Sequence, residues 1–124
     1  MIGDEKRVID AFCSWLVENG WTVRREEEFA DIVAERNEER LYAEAKGRTK
    51  SMGLDVDTLY GQLLRRMPTQ EAKPKRFGIV VPLEGRNLAL RVPARIRRML
   101  DIEIFIVDEG GKVEQIGDAR PSGS

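Results

Sequence analysis

Apolar residues return at helical spacing over Asp4–Asn19, where Val8, Ile9, Phe12, Trp15 and Leu16 share one face and Asn19-Gly20 supplies a stop. From Trp21 the period shortens to two. Trp21 and Val23 begin a strand that turns polar over residues 24–28, and Phe29–Glu35 predicts a second. Residues 36–40 are short and polar, a hairpin turn leading to a third strand at Leu41–Lys46. Gly47–Gly53 reads as a basic, polar loop, and Leu54–Met67 as the second long helix, with Val56, Leu59, Tyr60, Leu63 and Met67 on one face and Pro68 ending it. Thr69–Arg76 is a basic loop, and Phe77–Pro82 a short apolar run that suits a central strand. Residues 84–87 turn the chain, and Pro93 opens a short helix through Leu100. Ile102–Val107 predicts another strand, residues 108–111 a turn, and Lys112–Ile116 a closing edge strand. The order α-β-β-β-α-β-α-β-β describes an α/β protein with a mixed sheet: an antiparallel meander, then helical crossovers that lay the later strands beside it.

Composition narrows the chemistry. A chain of 124 residues, 41% apolar and 35% charged, can build one core but not two, so residues 1–117 are expected to form a single domain with a flexible tail at 118–124. It contains no histidine, which removes imidazole acid–base chemistry, imidazole metal ligands and any Ser-His or Cys-His pair. The single cysteine, Cys13, rules out an internal disulfide or a cysteine zinc cluster and fits a reducing cytoplasm. No apolar run approaches the ~18 residues of a membrane span, and the N-terminus lacks a signal-peptide pattern, so no membrane partner is expected. Polar chemistry must come from carboxylates, lysine, arginine, hydroxyls or a hard metal. The net charge of −1 conceals a balance of −5 over residues 1–46, +8 over 47–100 and −4 over 101–124. A basic middle in which arginine predominates suits a polyanion, although the same charges could serve to solvate helix faces.

One constellation carries chemistry. Side chains alternate along a strand, so Glu44 and Lys46 leave the third strand on one face while Ala43 and Ala45 leave on the other. A hairpin partner strand can set Asp31 beside Glu44. Two adjacent carboxylates repel unless a cation lies between them, and a hard divalent ion needs only one or two carboxylates together with water and phosphate oxygens. A neighbouring lysine can orient an attacking water or offset charge growing on phosphorus. Acid-x-Lys occurs three times in the chain, at Asp4, Glu44 and Glu71, but only Glu44 has a strand context and a preceding strand with an aspartate. The alternative reading is an ordinary same-face ion pair at a strand end.

The ADIVA segment around Asp31 and the LYAEAKG segment around Glu44, within this order of elements, resemble the PD-(D/E)xK nuclease superfamily, most closely its junction-resolvase and exonuclease-like branches. The resemblance runs from the first helix through Phe77–Pro82. It implies a restriction-endonuclease-like αβββαβ core, here with an extra short helix and C-terminal strands. It also implies Asp31 and Glu44 as ligands of Mg²⁺ or Mn²⁺, the Ala45 carbonyl as a further ligand, and Lys46 serving the attacking water. Ala30 stands where the motif's proline usually lies. The resemblance adds Gln62 on the following helix as a catalytic candidate, in a stripe with Asp55 and Arg66, and an acid on the first helix, for which Glu5 and Asp10 are both candidates.

For nucleic-acid contact the sequence offers Arg48 and Lys50 directly after the motif strand. It also offers Arg66, a loop cluster of Lys73, Lys75 and Arg76, and the set Arg91, Arg95 and Arg98. Trp15 and Trp21 read as packing residues rather than base-stacking platforms. The expected function is metal-dependent hydrolysis of phosphodiester bonds in nucleic acid, DNA being favoured, by a cytoplasmic enzyme that could act as a homodimer. The alternative is a non-catalytic nucleic-acid-binding or protein-interaction module that keeps the fold.

Overall fold

The structure is a computed structural model that describes residues 2–27, 30–65, 67 and 75–116. Helix α1 (Ile2–Glu18) is followed by strands β1 (Thr22–Glu27), β2 (Ala30–Arg36) and β3 (Glu39–Ala45), helix α2 (Met52–Arg65) and strand β4 (Lys75–Pro82). A 3₁₀ turn at Leu83–Gly85 and two short helices, α3 (Arg86–Ala89) and α4 (Ala94–Met99), lead to β5 (Ile102–Val107) and β6 (Val113–Gln115). The six strands lie in one sheet in chain order. The β1–β2, β2–β3 and β5–β6 pairs are antiparallel, and β3–β4 and β4–β5 are parallel. The expected αβββαβ core is therefore present, in a mixed α/β fold with later strands added at the far edge.

Alternation assigns each strand residue to one of two layers. On one face α1 buries Val8, Phe12 and Leu16 against Ile32, Ala34, Leu41, Ala43, Val80 and Phe105. The Phe105 ring lies 4.7 Å from Phe12 and 5.4 Å from Trp15, centroid to centroid, so aromatic packing joins helix to sheet. On the other face α2 buries Val56, Leu59, Tyr60 and Leu63 against Val33, Tyr42, Phe77, Ile79, Val81 and Ile104. β4 and β5 are covered on both sides and accordingly read as near-continuous apolar runs. Trp21 is buried in the α1 layer with the Arg36 guanidinium 4.4 Å above its ring, in keeping with a packing role.

The structure departs from the expected elements in three places. The five-residue turn is only Asn37-Glu38, because Arg36 and Glu39 are already paired. β4 starts at Lys75, inside the stretch expected to be a basic loop, since Lys75 and Arg76 pair with Arg40 and Leu41 across the parallel ladder. Residues 83–89 are helical rather than a simple turn, with the Leu90 amide donating to the Arg86 carbonyl at 3.1 Å.

Both residues of the tight hairpin have positive φ, 50° at Asn37 and 72° at Glu38. That is the backbone of a type I′ turn, which glycine and asparagine adopt readily and other residues with a β-carbon adopt at a cost. The left-handed conformation costs about 1–2 kcal/mol outside glycine, against roughly 0.5–1 kcal/mol of extra chain entropy that glycine loses on folding. Exposed Glu38→Gly should therefore stabilise the protein by about 0.5–1 kcal/mol, read as a higher urea midpoint at unchanged slope. A lower midpoint would show that Glu38 contributes something the turn geometry does not reveal.

Candidate active site

Strand pairing sets the first part of the site. The β2–β3 register runs from Arg36↔Glu39 to Ile32↔Ala43, and one step further it sets Asp31 opposite Glu44. Both belong to the α2 face, where Val33 and Tyr42 are their same-face neighbours. Beyond Ile32 the regular ladder stops: the Ala45 amide donates to Asp31 Oδ2 at 3.0 Å instead of to a strand carbonyl. In an antiparallel hydrogen-bonded pair the N–H and C=O of one residue face the same neighbour. The Ala45 carbonyl thus lies on the Asp31 side of β3.

Glu44 is 1% exposed. A glutamate at a buried strand position costs stability that valine or isoleucine there would not. The other described carboxylate buried on the sheet, Glu103, receives Arg76 Nε at 2.5 Å and Arg76 NH2 at 2.8 Å. Arg76 also donates to Glu39 at 2.8 Å, and these carboxylates hold its guanidinium above the usual arginine range. It sits on the α1 face at the start of β4, three register positions from Glu44, so the structure does not bring it to the site.

The second part of the site is set by helix α1. Lys46 lies just past the end of β3, its amide held by the Val80 carbonyl at 3.1 Å. Its ammonium is 3.9 Å from Glu5 Oε1. Asp10, the other first-helix candidate, is paired with Lys6 at 2.8 Å and Arg25 at 2.7 Å; the hydrogen bonds from Lys6 and then Arg25 hold its carboxyl below the ordinary range. Glu5 is therefore the acid at the motif lysine.

Gly47 makes this possible. A β-carbon there would lie 2.3 Å from the Glu5 nitrogen and 2.6 Å from the Asp4 carbonyl carbon, backbone atoms that have nowhere to go. Asp4 completes the junction by accepting the Arg48 amide and Arg7 Nε. Burial pushes the Asp4 carboxyl up, but the Arg48 amide and the Arg7 hydrogen bond outweigh it, and the carboxyl is held below its ordinary value.

The remaining candidates separate by location. Arg48 and Lys50 are exposed on the loop that leaves Lys46, with Arg48 NH1 3.3 Å from Glu84. Thr49 joins the loop to the next helix, donating its hydroxyl to Asp55 while accepting the Ser51 amide at 3.1 Å. Gln62 is half-buried on α2, on the same flank of the helix as Asp55 and two turns further along. Arg66 and Lys73 lie outside the described residues, and of Lys75 only the backbone is described. Sequence reasoning did not find Asp4, Gly47 or Glu84; the glycine directly after the motif lysine was the available signal.

Among the described residues no group of three or more carboxylate or thiol side chains could hold a metal ion by itself. Two carboxylates and a main-chain carbonyl do fit a hard divalent cation, which keeps several waters and takes further oxygens from a phosphate. Among the described residues no helix is long and apolar enough to cross a membrane.

No protein-family model and no curated protein matches the chain. Solved structures share its fold, among them the following two. An XisH family protein from Nostoc punctiforme PCC 73102 superposes with a TM-score of 0.65 at 18% identity, covering 90% of this chain and 99% of its own. A fdxN element excision controlling factor protein from Anabaena variabilis gives 0.66 at the same identity and coverage. The chain is thus similar in architecture to XisH family proteins over nearly their whole length.

Gly47→Ala should cost about 1–3 kcal/mol or more, as overpacking against immovable backbone does, and should separate Glu5 from Lys46. Urea unfolding measures the first effect. A midpoint equal to that of the wild type would mean the α1 junction yields without cost and does not fix the site.

Proposed function

We propose that this chain is a divalent-metal-dependent nuclease that hydrolyses phosphodiester bonds, DNA being the favoured polymer. The observation that carries the proposal is the break in the β2–β3 ladder. There the Ala45 amide takes the Asp31 carboxylate as its acceptor, directly across from buried Glu44 and one residue before Lys46. The αβββαβ core and the resemblance of the ADIVA and LYAEAKG segments to PD-(D/E)xK nucleases support the same reading.

Asp31 and Glu44, with the Ala45 carbonyl, would hold the cation. When bound, a Mg²⁺ or Mn²⁺ ion supplies charge neutralisation at the scissile phosphate and acidifies water. Lys46, held beside Glu5, donates a hydrogen bond to the attacking water and opposes the negative charge that grows on the phosphoryl oxygens. Arg48 and Lys50, exposed just beyond it, hold neighbouring phosphates of the strand. The reaction then joins a water oxygen to phosphorus and breaks the bond from phosphorus to one sugar oxygen, the water losing a proton and the departing sugar oxygen taking one up from solvent.

The test is cleavage of plasmid, linear, branched and RNA substrates with Mg²⁺ and Mn²⁺. Asp31→Asn and Glu44→Gln should each abolish metal-dependent cleavage while the circular dichroism spectrum is retained. Lys46→Ala should lower the single-turnover rate by about 100-fold or more with substrate affinity nearly unchanged, since the ammonium acts where charge develops. Full cleavage by both carboxylate variants would remove the assignment. Wild-type protein that binds nucleic acid but cuts none of the substrates would favour the non-catalytic module.

A further inference from the structure

The segment from Gly85 to Leu100 contains five arginines and no aspartate, glutamate or lysine. One of the five is structural: Arg97 is buried and donates Nε to the Val92 carbonyl at 3.1 Å. Arg91, Arg95 and Arg98 are exposed, and Arg86 is half-buried. Among the described residues no carboxylate comes within ion-pairing distance of these four. Elsewhere in the same residues Arg7, Arg25, Arg40, Arg48 and Arg76 each pair with an acid. In a protein with more acids than bases, such concentration leaves a patch of uncompensated charge.

The arm carrying this patch is tied to helix α2 and to the loop that leaves the candidate site. Buried Tyr60 on α2 donates its hydroxyl to the Ala89 carbonyl at 2.7 Å, and burial pushes the phenol up to about 12. Arg91 lies over the first turn of α2, where a β-carbon on Gly53 would come 3.5 Å from its NH2. That turn is joined through Thr49 to the loop leaving Lys46, and Arg48 of the same loop reaches Glu84 at the base of the arm.

We propose that the arm formed by α3 and α4 is a nucleic-acid-binding surface on which Arg91, Arg95 and Arg98 contact the phosphate backbone flanking the site. Guanidinium groups suit this because their planar fork matches phosphate oxygens. Arg95 and Arg98, three apart on α4, stand on neighbouring turns and present a continuous cationic edge. The interaction is electrostatic and carries no sequence preference. It builds on the nucleic-acid part of the proposed function and does not depend on cleavage.

The experiment is fluorescence anisotropy of a labelled duplex DNA in EDTA over a range of salt, for wild type, Arg91→Glu/Arg95→Glu/Arg98→Glu and the corresponding triple lysine variant. The glutamate variant should bind at least about tenfold more weakly, and its slope of log K against log salt should fall by about 0.9 for each phosphate it no longer neutralises, close to 2.7 for three. The lysine variant should keep the wild-type slope, and urea midpoints should agree among the three. An unchanged affinity and slope in the glutamate variant, a weaker affinity without a change of slope, or a wild type that does not bind DNA would each overturn the arm assignment. A wild type that binds DNA but never cuts it with Mg²⁺ overturns the nuclease reading alone, and the arm then stands on its slope.

Discussion

A strand buried on both faces has nowhere to place a charge except at its ends, and β3 is such a strand. Leu41 and Ala43 face α1 while Tyr42 faces α2, and β4 runs parallel along one side of it. Glu44 sits one residue before the strand finishes, on the face where Asp31 arrives from β2. Parallel pairing of β3 with β4 puts the following loop, the start of α2 and the 3₁₀ turn after β4 at the same end of the sheet. The candidate site lies at this end because the fold ends its apolar requirement there.

The junction with α1 follows from the same constraint. Once the chain leaves the sheet at Lys46 it must pass the first turn of the helix covering the opposite face, and only a residue without a β-carbon fits between. Gly47 thereby lets the chain leaving the sheet pass directly against the first turn of α1. Glu5 reaches Lys46 through this close approach, and Asp4 ties down the next amide.

Much of the fold was legible because its signals are local. The apolar stripe of α1, the period-two alternation of β3 and the continuous apolar runs of β4 and β5 each state their own secondary structure. Asp31 opposite Glu44 followed from counting back along a hairpin. What could not be read depends on pairs far apart in the chain. Arg76 looked like part of a basic loop because its partner Glu103 is twenty-seven residues away. The choice between Glu5 and Asp10 rests on a backbone approach at Gly47 that no spacing rule encodes. The helical turns over residues 83–89 bury Gly85 and Ala89, and the glycine inside so short a stretch reads locally as a turn. The basic middle of the chain proved to hold two populations: arginines such as Arg76 and Arg97, absorbed into the bonding of the fold, and Arg91, Arg95 and Arg98 of the α3–α4 arm, which are exposed.

The central claim is that Asp31 and Glu44 together form a divalent-cation site. Titration of the protein with Mn²⁺ in the absence of nucleic acid, followed by electron paramagnetic resonance, tests it most directly. The account predicts saturable binding of an ion by the wild type and its loss in Asp31→Asn/Glu44→Gln, with the fold retained. Equal binding by wild type and the double variant would contradict it.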